Sequence, residues 1–309
     1  MDDTRTPRAI ARRSDIFAER EGDLALRYPS GKQEGIVSLL AEQGRVLDGV
    51  ALLLLDALSE LYLQQFVAEG GYHQWVRVSR RQVALMALGR DGGSQYRLLG
   101  LTADRGGGAI EALATVLVQQ RSTFVSFGQK VTTKVGFHII EGYTYSDIGD
   151  DLLSVEGEDD DHHVLSVRLG ELVQLWLQRG EVVTLPGGIR TLGARDAAAL
   201  RLAHFILSHS PLPTRRTRSG QVRRGQERVL SAMAAAQVLG WAPSMYTQRY
   251  RARFLERLRA VVSRIDAADA ERSWRVVAGT SRSWGVKIVV RPRLGLSPTK
   301  RVQRRRRSQ

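Results

Sequence analysis

The sequence predicts a helix-rich α+β fold of two tandem domains, each ending in a short β hairpin. The chain has 309 residues, of which 43% are hydrophobic and 25% charged, so it is long enough to bury two cores. An order of helical segments followed by two β-rich runs occurs twice along the chain. Near the C terminus, a long segment also alternates apolar and basic residues with the period of a helix.

An N-terminal arm, residues 1–40, is predicted to be loose, because its charged sequence has no hydrophobic period. The first domain spans residues 41–146. Its predicted elements are, in order, a helix over 47–69, a strand over 74–78, a helix over 80–88, a glycine-rich loop over 89–108, a helix over 109–120, and hairpin strands over 123–127 and 131–140. Ser79 is a suitable N-cap for the second of these helices, and Gly89 ends it.

The acidic stretch 147–161 contains eight carboxylates and few apolar residues, which is typical of a linker. The second domain is predicted over residues 162–292, followed by a basic tail, 293–309. Its predicted elements are a strand over 164–169, a helix over 171–178, a strand over 182–185, helices over 194–208, 226–239 and 245–265, and hairpin strands over 273–277 and 285–290. Helices that end in a two-stranded hairpin have the order of a winged helix, so we expect two tandem winged-helix domains with short β-hairpin wings.

Positive charge is concentrated in the last third of the chain. The whole sequence has 46 Lys and Arg against 32 Asp and Glu, a net charge of +14. Residues 211–309 hold 24 of these cations and 5 of the anions, whereas residues 1–210 hold 22 and 27. Such a density of like charge is stabilised by a polyanion, most commonly nucleic acid. We therefore expect the C-terminal third to bind phosphate groups.

The helix predicted over 245–265 separates core and basic residues onto adjoining faces. At 100° per residue, a core stripe falls within roughly 40° of one direction. Its members are Tyr250, Phe254, Leu258, Val261 and Ile265. Four arginines and a tyrosine cluster about 90° away from that stripe. They are Arg249, Arg253, Arg257, Arg264 and Tyr246. A recognition helix needs this geometry, because one face packs while long guanidinium side chains enter a major groove. The alternative is a basic face that only contacts solvent, although Glu256 alone offers little negative charge to pair with these arginines.

A helix ended by Gly240 and a new helix start at Pro243 and Ser244 form a helix-turn-helix pattern before this segment. The predicted DNA-contacting residues belong to this helix, the hairpin after it, the first domain and the tail. They are Tyr246, Thr247, Gln248, Arg249, Arg253, Arg257 and Arg264; Arg282 and Lys287; Arg80, Arg81, Lys130 and Lys134; and Arg304, Arg305, Arg306 and Arg307.

The string YTQRYRARFLERLRAVVSRI, with SWRVVAG and GVKIVVRP after it, resembles the end of the second winged helix in iteron-binding plasmid replication initiators. LSVRLGELVQLWL with TLGARDAAALRLAHFIL is similar to the entry of that domain. Residues 47–140 are compatible with the first winged helix, so the resemblance covers roughly residues 45–292. The glycine-rich insertion at 89–108 and the arginine-rich tail depart from the family pattern.

The resemblance implies a protein that binds repeated origin sites in double-stranded DNA with both winged helices. It also implies a homodimer formed through the first winged helix, and partners that include a host replication initiator and helicase. Members of this family are not enzymes, so we expect no catalytic, cofactor or metal residues. A winged-helix transcriptional regulator is the alternative, and a rolling-circle nickase is a third reading.

Several other functions lack their residues. Ser30, Gly31 and Lys32 do not have the spacing of a P-loop, so no ATPase is predicted. His162 and His163 follow an acidic run, but adjacent side chains diverge on a strand, which disfavours a metal site. A rolling-circle nickase needs a nucleophilic tyrosine and two histidines that flank one apolar residue. Tyr143 and Tyr145 are present, but the sequence has no two histidines with that spacing. His204 and His209 lie on an apolar helix and are predicted to be structural.

The remaining composition bears on the cell compartment. The chain has no cysteine, which excludes disulfides and thiolate metal sites and fits a reducing cytoplasm. The N terminus has no apolar signal-peptide core. Residues 47–66 are the one long apolar stretch, but Asp48, Asp56 and Glu60 interrupt it, so we expect a buried helix rather than a membrane span. We expect a cytoplasmic protein associated with the nucleoid or a plasmid, with no membrane partner.

Overall fold

The computed structural model describes residues 3–17, 36–40, 47–69, 75–90, 92–101, 108–126, 129–147, 163–193, 196–209, 215–216, 222–223, 227–241, 251–278 and 285–293. The helix-rich α+β class predicted from the sequence is confirmed. The chain forms two compact units. Unit 1 comprises residues 1–208 and 237–241, and unit 2 comprises 209–236 and 242–309. This division differs from the predicted boundary in the acidic stretch, of which residues 148–161 lie outside the described part of the chain.

Unit 1 contains eight strands and eight helices among its described residues, besides a 3-10 turn at Ser14–Phe17. The strands are β1 (Thr4–Pro7), β2 (Ile36–Leu40), β3 (Val76–Ser79), β4 (Leu117–Ser126), β5 (Gln129–His138), β6 (Ile140–Asp147), β7 (His163–Leu169) and β8 (Val182–Leu185). The helices are α1 (Arg8–Ala11), α2 (Gly49–Ala68), α3 (Arg80–Leu88), α4 (Gly93–Leu99), α5 (Ala109–Ala114), α6 (Glu171–Gln178), α7 (Gly187–Arg190) and α8 (Ala197–Ser208).

The core of unit 1 is built around α2. Asp48 caps this helix by accepting hydrogen bonds from the backbone N–H groups of Val50 and Ala51. Its first fifteen residues, Gly49 to Leu63, are all buried, so the helix is covered on every side. By length and composition α2 is the one helix in the described residues that is apolar enough to cross a membrane. However, 78% of its most apolar stretch of 18 residues is buried inside the fold. It is therefore a core helix of the fold, as the sequence predicted.

The strands of unit 1 form sheets that join distant parts of the chain. Their orders are β3-β7-β6, β2-β4-β5 and β1-β8, and all their pairs are antiparallel. The predicted hairpin is present as β4 and β5. Strand β7, which was expected to open the second domain, instead lies between β3 and β6. It fits there because Leu165, Val167 and Leu169 alternate into the core, and nothing local in the sequence identifies its partners.

Residues 3–17 are ordered, in contrast to the loose arm expected from their charge. Strand β1 pairs with β8, and Ile10 and Phe17 are fully buried. Arg5 donates two hydrogen bonds to the Glu60 carboxylate, at 2.8 and 2.7 Å. Individual tertiary contacts, rather than an amphipathic pattern, hold this segment in place. Its order therefore could not be predicted from a hydrophobic period in the sequence.

Unit 2 contains five strands and two helices among its described residues. They are β9 (Arg215–Arg216), β10 (Val222–Arg223), β11 (Glu227–Ser231), α9 (Ala232–Leu239), α10 (Arg251–Ala268), β12 (Arg272–Ala278) and β13 (Gly285–Pro292). The boundary between the units falls inside α9. Strands β11, β13 and β12 form an antiparallel sheet in that order, and α10 packs against β12.

Three predicted elements are wrong in their extent. The helix expected over 226–239 begins at Ala232, because residues 227–231 pair with β13 as a strand. The helix expected over 109–120 ends at Ala114, because Leu117 begins the long hairpin strand β4. The glycine-rich loop contains the helix α4. In each case a local pattern is overridden by strand pairing or obscured by neighbouring glycines.

Candidate nucleic-acid interface

Helix α10 in unit 2 carries the predicted core stripe. Phe254, Leu258, Val261 and Ile265 are buried, and Val262 joins them. The structure describes this helix from Arg251 onward, so Tyr250 and the predicted contact residues Tyr246, Thr247, Gln248 and Arg249 lie outside the described residues. The buried stripe fixes the rotation of α10 about its axis, which decides what its other faces present.

The neighbouring face of α10 presents arginines to solvent. Arg253, Arg257 and Arg264 are all exposed and lie within roughly 40° of one another around the helix. They extend about 16 Å along its axis, at 1.5 Å per residue. Within the described residues, Arg253 and Arg257 have no hydrogen bond or ion pair. We call these three residues the arginine face. The guanidinium groups of Arg253 and Arg257 are available to an external anion.

The C-terminal end of α10 is fastened to the hairpin that follows it. The buried Asp269 carboxylate accepts hydrogen bonds from the backbone N–H groups of Glu271 and Arg272 at 3.0 and 3.1 Å, and from Trp274 Nε1 at 2.8 Å. Asp266 Oδ1 accepts the Trp274 N–H at 2.6 Å. Two carboxylates thus orient β12 relative to α10, which makes the arginine face part of a fixed scaffold.

The sheet of unit 2 has an inner and an outer face. Its inner face carries the buried residues Trp274, Val286, Ile288 and Val290. Because side chains alternate along a strand, Lys287 lies on the outer face, in register with Val277. The structure therefore brings Arg253, Arg257 and Arg264 together and places Lys287 on a separate surface. Arg282 lies outside the described residues.

Unit 1 holds the remaining described site residues. Arg80 begins α3, and its guanidinium lies 4.7 Å from the centre of the Tyr96 ring, which commits it to a cation–π contact. Arg81 follows it and is partly exposed. Lys130 and Lys134 belong to β5, opposite Val125 and Arg121 of β4. The tail residues Arg304, Arg305, Arg306 and Arg307 lie outside the described residues.

The short helix α4, which was not predicted from the sequence, follows α3 across a four-residue turn and packs against it. This helix exposes Ser94 and Arg97. It ends at Gly100, whose φ of 75° is left-handed. A Cβ on Gly108 would stand 2.4 Å from the Gly100 Cα, so glycine allows the two backbones to cross there. The signal was available in the run Ser94 to Leu99 between Gly93 and Gly100, but glycines normally indicate a loop.

The histidine on α8 is structural, as predicted. His204 is fully buried, and its Nε2 lies 3.0 Å from the Asp56 carboxylate while its Nδ1 lies 2.9 Å from the Leu200 carbonyl oxygen. Burial lowers the pKa of His204, but the charge of Asp56 and the hydrogen bonds to Asp56 and Leu200 outweigh it and raise the pKa above 6.5. Both ring nitrogens face acceptors, which fits an imidazolium.

No protein-family model and no curated protein matches this chain. Its fold is similar to two solved structures of domains 2 and 3 of RctB, each with a TM-score of 0.52 and 11% sequence identity. One alignment covers 93% of this chain and 98% of the RctB chain, and the other covers 91% and 96%. The likeness therefore concerns the whole two-unit fold rather than one element.

Proposed function

We propose that this chain is a sequence-specific double-stranded DNA-binding protein that initiates replication of a plasmid or phage-like element. The observation that carries the proposal is the arginine face of α10, which lies beside the buried stripe of the same helix. This helix belongs to residues 211–309, which hold 24 Lys and Arg against 5 Asp and Glu. The likeness to domains 2 and 3 of RctB supports the two-unit fold on which the proposal rests. Contact of unit 1 with the same DNA through Arg80, Arg81, Lys130 and Lys134 belongs to the same proposal.

The chemistry of this proposal is binding, not catalysis. A helix of this width fits a B-DNA major groove, where arginine pairs with guanine O6 and N7 and with neighbouring phosphates. Binding to repeated origin sites would concentrate several copies on one DNA. Recruitment of a host initiator and helicase, self-association as a homodimer and a cytoplasmic location follow from the resemblance and complete the proposal.

Footprinting of the intact chain on DNA that flanks its own gene tests the function. The proposal predicts protection of tandem direct repeats. Protection of a single palindrome would indicate a transcriptional regulator instead, and a tyrosine covalently joined to a nicked strand would indicate a nickase. Sedimentation of the same protein with and without the repeats measures self-association.

A further inference from the structure

The outer face of the unit 2 sheet is a second basic surface, distinct from α10. Arg275 on β12 is in register with Val289 on β13, and the neighbouring row pairs Ser273 with Arg291. Since successive side chains alternate, Arg275 and Arg291 both point away from the inner face that carries Trp274. Both are exposed. The arginine face and the outer face therefore use different elements and different side chains.

The outer face is concave and has an apolar floor. It borders a half-open cleft of about 490 Å³, which is lined by the exposed Val277 and Pro292, the largely buried Val289, and Arg275, Arg291 and Arg293. Val277 is 46% exposed, which is unusual for a large aliphatic side chain on a regular strand. A cleft of this volume can accept a few side chains of a short peptide, but not the broad surface of a folded partner.

The three arginines of the cleft differ in their contacts within the described residues: Arg293 is held by the protein, whereas Arg275 and Arg291 have no partner. Arg293 donates from Nε to the Arg272 carbonyl oxygen at 3.0 Å and lies 3.2 Å from the Asp266 carboxylate. Arg275 and Arg291 make no hydrogen bond or ion pair within the described part of the chain. Diagonal neighbours on a sheet are about 7 Å apart, so these two like charges repel until an anion lies between them. Glu227 on β11 stands beyond Val289 in the row of Arg275, about 10 Å from it across two strand spacings.

We propose that the outer face binds an acidic peptide segment of a partner protein, with apolar side chains on the cleft floor and carboxylates on Arg275 and Arg291. An apolar floor bordered by arginines is the composition of a protein–protein interface, whereas contacts to a DNA backbone are made to phosphates and gain nothing from exposed valine. One outward donor of the β12 edge, the N–H of Trp274, already donates to Asp266, so we place the peptide on the face of the sheet rather than along this edge.

Fluorescence anisotropy on the intact chain tests this. The probe is a labelled ten-residue peptide of alternating glutamate and leucine, and a peptide of alternating glutamate and serine replaces it as the control for the apolar floor. The double variant Arg275→Gln, Arg291→Gln removes two exposed charges from the outer face. The matched variant Arg253→Gln, Arg257→Gln removes two from the arginine face.

We expect the outer-face variant to weaken binding of the glutamate–leucine peptide at least about tenfold while its affinity for duplex DNA changes about twofold or less. The arginine-face variant should show the reverse. Equal loss of peptide binding in both variants would overturn the proposal, because net charge alone would then explain it. So would equal binding of the serine peptide, no binding to the unmodified chain at millimolar peptide, or a loss of duplex binding in the outer-face variant as large as in the arginine-face variant. The last result would assign the cleft to nucleic acid.

Discussion

At the scale of single residues, surroundings decide what an arginine does. Arg80 is committed to the Tyr96 ring and Arg293 to Asp266, whereas Arg253 and Arg257 are unpaired within the described residues. The periodicity of the sequence predicted that Arg253, Arg257 and Arg264 share a face, because a helix fixes that relation locally. It did not predict that Lys287 lies on another surface, because strand register is set by pairing across the sheet.

Replacing Arg253 by Ala should weaken binding to a protected repeat by about 1–3 kcal/mol and relax the preference at one base position. Titration of the repeat and of its single-base variants measures both effects. Arg259→Ala is the matched control, since Arg259 is exposed on the same helix but lies more than about 100° away from the arginine face. Equal weakening by the two changes, or equal loss on random DNA, would contradict base contact by Arg253.

His204 should make the stability of the fold depend on pH. Its folded pKa is raised, so it contributes stability that is fully present below the unfolded pKa of 6.5 and is lost as pH rises through the folded value. The charged groups that act on it are Asp56 and Arg190. Urea unfolding from pH 6 to pH 9 should show falling stability in the unmodified chain and a weaker trend in Asp56→Asn. The same slope in both proteins would show that the pair does not cause it.

At the scale of elements, the junction between α10 and β12 depends on Asp269. Replacing it by Ala leaves two backbone N–H groups and the Trp274 indole without their acceptor, so we expect a loss of about 2–5 kcal/mol in stability. Asp269→Asn keeps one carbonyl oxygen and should lose less. Urea unfolding measures the loss, and hydrogen exchange of β12 locates it. If Asn and Ala are equally damaging, the charge rather than the hydrogen bonds holds the junction.

Elements whose signals are local were predicted well. The helix at 80–88 has its serine cap and its left-handed terminal glycine, and the segments 171–178 and 182–185 have the predicted bounds. The helix predicted over 226–239 wrongly included strand β11. Its neighbours Ala232 to Leu239 are helical, and its partner β13 lies more than fifty residues away in the sequence. Helix α4 was not predicted, because the glycines on either side of this short run indicated a loop.

At the scale of the whole molecule, unit 1 draws on both sides of the acidic stretch. β7 lies after this stretch yet stands between β3 and β6. We therefore expect separate fragments 1–150 and 162–309 to be less stable than the intact chain, because β3 and β6 lose the strand that pairs with both. Circular dichroism and urea unfolding of the fragments check this. Cooperative folding of both, with additive spectra, would contradict the unit 1 assignment.

The charge asymmetry predicts a strong dependence of DNA binding on salt. The six cations Lys300, Arg301 and Arg304 to Arg307 have few apolar neighbours in the sequence, so we expect them to contact phosphate without base preference. Deleting residues 299–309 should reduce the slope of log affinity against log salt by up to about 5 and leave the footprint unchanged. A changed footprint would mean that the tail contributes to sequence recognition, for instance in a minor groove.

The central claim is that the arginine face of α10 lies against double-stranded DNA, and the absence of cysteine from the sequence permits a direct test. A cleavage reagent can be attached to the single cysteine of Ala260→Cys, an exposed position beside the arginine face, or to that of Ala252→Cys, an exposed alanine about 120° from it. On DNA that carries the protected repeats, we predict strong cleavage inside each repeat from position 260 and weak cleavage from position 252. Stronger cleavage from position 252, or none from either in a bound complex, would contradict the claim.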